Sequence, residues 1–383
     1  MNDADPARWL TVSKLQAPLT QLLDREVAAV DAWTCQRLAG GAGEALGVWE
    51  VTGTATVEGV SQSWRLVLKG WACTGVASEP TAWNWPYREL EAYTCGLLDD
   101  LPDSFVVPAC YGSIQPSNGS QWLWLERVVD DASGSWPLER FVAAARRLGR
   151  LNGSYLSGRA LPDHPWLSRD WLRQWVEAAA PAVDLLARSA DHPMVRQTWP
   201  PEIMNAYMRY WEDRHTVLAM LDTLPKTFCH LDAFPRNLFF RTRAENATEI
   251  AAIDWGFCGL GVIGEDLGPL VAGSVVLMEA PAVVRRSLEA TALDGYVAGL
   301  RESGWDGDPH VVRIGYAASA ALRYGLGALR LLLPWLLNEE AHPFLEQLMG
   351  YPMADIAEQQ RHFAIWMVEL LSEVRDDMAG AAT

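Results

Sequence analysis

Paired cysteines are missing from this 383-residue sequence. Cys35, Cys73, Cys95, Cys110, Cys229 and Cys258 are scattered, with no Cys-x-x-Cys and no histidine pair beside them. That excludes a zinc ribbon or finger and leaves reduced packing thiols, the expectation for a cytoplasmic protein. Basic charge is also short. Thirty-one Lys and Arg against 48 Asp and Glu give a net charge of −17, which argues against nucleic acid or an anionic membrane as partner. The start, Met1-Asn2-Asp3-Ala4-Asp5-Pro6, lacks the basic-then-apolar order of a signal peptide. The most apolar stretch, Tyr316 to Leu337, is interrupted by Arg323 and Arg330, whose seven-residue spacing puts both on one helical face. It reads as a buried or half-buried helix and not as a membrane span. No repeat of roughly 20 to 50 residues and no low-complexity segment stands out.

What is present is a folded composition, 50% hydrophobic and 21% charged, on a chain long enough for two lobes. One stretch carries the chemistry. Phe228-Cys229-His230-Leu231-Asp232-Ala233-Phe234-Pro235-Arg236-Asn237-Leu238-Phe239-Phe240 leads through a polar connection to Ile250-Ala251-Ala252-Ile253-Asp254-Trp255-Gly256. The two apolar runs are short enough for strands, and Arg241 to Glu249 supplies the turn. Asp232, Asn237 and Asp254 suit phosphoryl transfer to a hydroxyl. One carboxylate accepts or orients the acceptor proton, while an amide oxygen and a second carboxylate hold Mg²⁺ against a triphosphate. Taken singly, Asp232 and Asn237 read equally well as turn or cap residues and His230 as a hydrogen-bonded core histidine.

His-x-Asp-x-x-x-x-Asn followed by Asp-Trp-Gly resembles the catalytic loop and metal-binding segment of the aminoglycoside phosphotransferase and choline kinase group. The run Ile253 to Gly261, with Glu265-Asp266-Leu267 after it, is similar to that group's second signature. The resemblance implies an α+β, two-lobed protein-kinase-like fold: a small antiparallel β lobe with one helix and a larger, mostly helical lobe. It implies Asp232 as catalytic base, Asn237 and Asp254 as Mg²⁺ ligands, His230 as a structural residue, and Asp266 as an organiser of the loop. One departure is Leu231, where the group usually has glycine.

Taken in order, residues 1–29 read as a lead-in and a helix through Leu19, Leu22, Leu23 and Val27. Residues 30–127 form the expected nucleotide-binding lobe, with strands at Cys35–Leu38, Gly47–Val57 and Ser63–Lys69. The glycine-rich 39–47 segment, with Gly41 and Gly43, either covers nucleotide phosphates or is a plain hairpin loop. Lys69 ends an apolar strand, where the resemblance implies a lysine on the phosphates held by a glutamate. Glu89 matches the group's Arg-Glu pattern, and Glu91 is the alternative on the helix expected over Tyr87–Leu98. Two further strands are expected at Val106–Gly112 and Gln121–Glu126. The hinge follows, where position and resemblance imply that Glu126 and Val128 offer main-chain groups to adenine. Residues 128–383 form the expected catalytic and substrate lobe, with helices over Leu138–Asn152, Trp166–Arg188 and Pro201–Leu221 and a helical tail beyond Gly268.

The expected activity is therefore an ATP-dependent (GTP remains open), Mg²⁺-dependent transfer of the γ-phosphoryl group to a hydroxyl of an antibiotic, amino sugar or related metabolite. A nucleotide-binding regulatory or scaffold protein on a kinase-like fold is the alternative. Nineteen tryptophans offer aromatic faces, but their dispersal names no pocket, and oligomeric state has no signature here.

Overall fold

The computed structural model describes residues 5–38, 45–72, 79–102, 104–131, 134–242 and 248–381. Gly41 and Gly43 lie outside the described residues. An amphipathic helix, Val12–Leu23 (α1), comes first and stops where Asp24 takes a left-handed backbone with φ of 50°. Val27 shares the spacing of Leu19, Leu22 and Leu23 but opens the first strand; the helix has already ended at Asp24. That strand therefore starts three residues ahead of the expected lobe boundary at 30.

Strands Val27–Arg37 (β1), Ala45–Val57 (β2), Val60–Trp71 (β3), Cys110–Ile114 (β4) and Gln121–Glu126 (β5) form one antiparallel sheet in the order β1-β2-β3-β5-β4. Val57 pairs with Val60 across Glu58-Gly59, both at positive φ. This is the two-residue turn whose twist matches the strands it joins. In β3, Trp64, Leu66 and Leu68 are buried on one face in a cluster with Leu15 and Leu19 of α1. The two-residue period therefore sends Val67, Lys69 and Trp71 to the other face, toward the rest of the molecule. The helix at Arg88–Thr94 (α2) packs beneath that face and is shorter than its sequence suggests, ending at Thr94 before Gly96, which has φ of 81°. Before β4, Val106 makes a bridge to Ala251: its N–H donates to Ile250 O at 2.9 Å and its O accepts from Ala252 N at 2.9 Å.

The larger part is mostly helical. Leu138–Leu156 (α3) lies against the helix Arg285–Glu302 so closely that a Cβ on Gly149 would stand 2.1 Å from Tyr296 O, and one on Gly299 2.0 Å from Arg146 O. Only glycine permits such an approach. The expected helix over Trp166–Arg188 is two, Trp171–Glu177 and Ala180–Arg188, and Pro201–Asp222 follows. Two small antiparallel strand pairs follow these helices and carry the loops that hold the polar residues. Lys226–Cys229 (β6) pairs with Gly259–Val262 (β9), and Leu238–Thr242 (β7) with Thr248–Ala252 (β8). The apolar 316–337 region is not one regular helix: an α-helix at Pro309–Ala320 passes through a π-helical turn at Ala321–Leu326 into Leu329–Leu337. By length and composition Pro309–Leu337 could cross a membrane, and 61% of its most apolar window is buried inside the protein.

Candidate active site

Lys69 reaches from the small sheet into the cleft. Its Nζ lies 2.5 Å from Glu89 Oε2 of α2 and 2.8 Å from Asp254 Oδ1 of the segment after β8. Burial disfavours the ammonium, but Asp254 and Glu89 together outweigh it and raise the pKa, so Lys69 stays charged. Asp254 has φ of 63° and a side chain 41% exposed. Burial pushes its carboxyl up, the Lys69 ammonium pulls it down further, and the net direction is down. Glu91, the alternative partner, is half-buried elsewhere on α2.

The loop between β6 and β7 holds Asp232 and Asn237. Asn237 Nδ2 donates to Asp232 O at 2.8 Å and to Asp232 Oδ2 at 3.0 Å, and Ile253 N donates to Asn237 O at 2.9 Å. That last bond sets Asp254 one residue from the Asn237 backbone. Burial, with the Asp254 charge adding to it, raises the Asp232 carboxyl to about 6 against the pull of Arg323, Arg236 and Lys69. His230 accepts from Asp232 N through Nδ1 at 3.1 Å and meets Ile253 O through Nε2 at 3.0 Å, which assigns the proton to Nε2. Burial lowers its pKa, so the ring is a neutral strut between the two loops.

Asn237 commits its amide N–H groups to Asp232 and keeps Oδ1 as an oxygen donor; Asp254 has its second carboxylate oxygen beyond the one on Lys69. Two hard oxygens on one wall fit Mg²⁺, which takes its remaining ligands from water and phosphate. Among the described residues no group of three or more His, Cys, Asp or Glu could hold a metal.

Glu126 and Val128 stand apart from this cluster. The Glu126 carboxylate accepts from Ala109 N at 3.1 Å and pairs with Arg241 at 2.7 Å, and the carbonyl of buried Val128 accepts from Arg127.

Further buried polar residues fix the site, one of them Asp266, which the resemblance implies as organiser of the loop. Buried Asp266 accepts from His230 N at 3.1 Å, Leu231 N at 2.7 Å and Asn152 Nδ2 at 3.0 Å. Asn152 in turn accepts from Tyr296 Oη at 2.7 Å. Arg88, fully buried, donates to the carbonyls of Pro80, Ala82, Trp83, Trp166 and Gly256 and so ties α2 to Asp254-Trp255-Gly256. Arg323 pairs with Asp232 Oδ1 at 3.2 Å. Its signal in the sequence, shared with Arg330, is a charge inside an apolar run, which a buried residue keeps only with a partner. Lys69 had a stronger one: of 31 basic residues only Lys14, Lys69 and Lys226 are lysines. In a chain that otherwise uses arginine, a compact ammonium at a strand end marks a position where a point charge is needed.

A family model described as "Phosphotransferase enzyme family" matches residues 78–308, more than half of the chain, from before Glu89 to beyond Asp266. No curated protein matches by sequence. Among solved structures, an amicoumacin kinase in complex with AMP-PNP, Ca²⁺ and Ami is similar over 85% of this chain and 88% of its own, at 14% identity and a TM-score of 0.51. The microcompartment-associated aminopropanol kinase is similar over 92% and 98%, at 16% identity and 0.51. A choline kinase from Cryptosporidium parvum Iowa II is similar over 89% and 90%, at 10% identity and 0.50. At these identities the likeness shows the fold, which is the two-lobed protein-kinase-like one. With the span that bears both motifs matched, the chain belongs to the phosphotransferase enzyme family.

Proposed function

We propose that the protein is an ATP-dependent O-phosphotransferase acting on a small hydroxylated molecule. The observation that carries this reading is Lys69 held by Glu89 from the small lobe and by Asp254 from the large one, one residue from the backbone bond that joins the Asp232–Asn237 loop. In this reading the Asp232 carboxylate takes the acceptor hydroxyl proton. The freed oxygen forms the new P–O bond as the γ-phosphorus bond to the bridging oxygen breaks, and ADP leaves. Lys69 binds the α and β phosphates, and Glu89 fixes Lys69. Asn237 and Asp254 hold Mg²⁺, which neutralises phosphate charge when bound. Glu126 and Val128 contact adenine through the main chain.

Aminopropanol and choline, named in two of the similar structures, are amino alcohols. Together with the net charge of −17 this supports a cationic hydroxylated amine, an amino sugar or an antibiotic of that chemistry as acceptor. The test is ADP release and acceptor mass gain with MgATP across a panel of amino alcohols, amino sugars and aminoglycosides. Asp232→Asn is expected to lower turnover by about 10²- to 10⁴-fold while MgATP still binds. Binding of MgATP with transfer to none of the panel would favour a regulatory nucleotide-binding protein instead.

A further inference from the structure

We infer that Arg323 is the positioning residue of Asp232, a role that rests on the reading of Asp232 as base. Arg323 lies in the π-helical turn Ala321–Leu326, on the far side of the large lobe's sequence from the catalytic loop, and is 5% exposed. Its guanidinium makes two different contacts with one dipeptide. Nη1 donates to Leu231 O, and Nη2 lies 3.2 Å from Asp232 Oδ1. It is itself fixed: its Cζ lies 4.2 Å from the Trp171 ring centroid, and Trp175 Nε1 donates to Arg323 O at 3.1 Å.

The backbone beneath it explains why such a clamp is needed. Leu231 has φ of 60°, a left-handed conformation that suits glycine and costs a branched side chain. The peptide groups on both sides of this kink are committed. The His230 and Leu231 N–H groups go to Asp266, and the Leu231 carbonyl goes to Arg323. The carboxylate of the next residue is then held from two directions, Oδ1 by Arg323 and Oδ2 by Asn237 Nδ2 at 3.0 Å. Rotation about the Asp232 side chain breaks one of these contacts, so the lone pair offered to an acceptor hydroxyl has a set direction. A π turn widens a helix by one residue and re-aims the side chains on it. Here that widening coincides with the guanidinium that contacts both Leu231 O and Asp232 Oδ1. Arg323 works through Asp232, whose carboxylate its guanidinium contacts.

The test uses the full chain with MgATP, reading acceptor-independent ADP release into water and ADP release with 1-amino-2-propanol, choline and kanamycin in turn. Arg323→Met is expected to lower the turnover of whichever reaction the wild type performs by about 10- to 100-fold, with MgATP affinity, read by fluorescent-nucleotide displacement, within about twofold. Arg323→Lys, which keeps a charge but not the fork, should recover part of the loss. On an Asp232→Asn background, Arg323→Met should cost nothing further, because its action passes through the carboxylate. The inference is overturned if Arg323→Met leaves turnover intact, if it costs as much without Asp232 as with it, or if turnover and MgATP affinity fall together. If Arg323→Met does not fold, Arg323→Lys in both backgrounds decides by the same comparison. Failure of the underlying reading looks different: Asp232→Asn would then leave turnover unchanged, and the inference would fall with it.

Discussion

At the scale of single residues, the catalytic loop is held by buried polar bonds whose loss leaves partners stranded. Asp266→Ala would leave the His230 and Leu231 N–H groups without their acceptor and would remove one of the two carbonyl or carboxylate oxygens that Asn152 Nδ2 bonds, Phe228 O remaining. About 2–4 kcal/mol of destabilisation is expected, measurable by urea unfolding. Leu231 sets two effects against each other. Glycine there would relieve roughly 1–2 kcal/mol of left-handed strain, but the side chain is fully buried and its removal costs about 2–5 kcal/mol. Burial wins, and Leu231→Gly is expected to lower stability despite restoring the residue common to the family. Glu265 gives a pH signature. Burial raises its carboxyl to about 7, against the Val262 N–H that it accepts at 2.9 Å. Because the folded pKa is above the unfolded one, its contribution is favourable below the unfolded pKa and is lost as pH rises through 7. Glu265→Gln should therefore gain on the wild type between pH 5 and pH 8, by on the order of 1–3 kcal/mol. Equal Tm differences at both pH values would refute this.

At the scale of elements, the site depends on a helix pair that contributes neither Asp232, Asn237 nor Asp254. Asn152 sits in α3 and its partner Tyr296 in Arg285–Glu302, and the bond between them, which holds Asn152 toward Asp266, forms where four glycines, Gly149, Gly153, Gly295 and Gly299, let the helices touch. Gly299→Ala puts a methyl 2.0 Å from Arg146 O, which is backbone and cannot yield. A loss of about 1–3 kcal/mol or more is expected from overpacking, and with it a drop in turnover as Asn152 and Asp266 shift. An alanine variant with wild-type Tm would show that the helices separate more cheaply than the contact implies. Arg88 plays a comparable part for α2, since its bond to Gly256 O at 3.0 Å ties the helix that bears Glu89 to the segment that bears Asp254.

For the molecule as a whole, the two lobes meet at Lys69–Asp254, at Arg88 and at the Val106 bridge to β8, so a nucleotide gripping Lys69 and Asp254 together adds to their union. Saturating MgATP should raise Tm, by about 2.7 kcal/mol of stability at a hundredfold excess over Kd. Asp254→Asn should remove the part of that gain that needs Mg²⁺ while leaving the protein folded. A Tm gain of the same size in Asp254→Asn would remove Asp254 from the metal site.

The spacing His230, Asp232, Asn237, Asp254 was readable in one dimension because the residues sit on two short adjacent loops, where sequence distance and spatial distance nearly coincide. Lys69 and Glu89 were readable for a related reason: a strand and the next helix pack on each other, and strand alternation selects the face. Val27 misled because helical spacing carries no information on where a left-handed Asp24 halts the helix. Arg323 and Asn152 escaped because the carboxylates they bond lie 91 and 114 residues away, and a buried charge or amide declares only that it needs a partner. The order of residues along the chain thus determined which polar groups the two adjacent loops present together. Only packing, which brings distant polar groups into a space that excludes water, decided which of the remaining residues hold those groups in place.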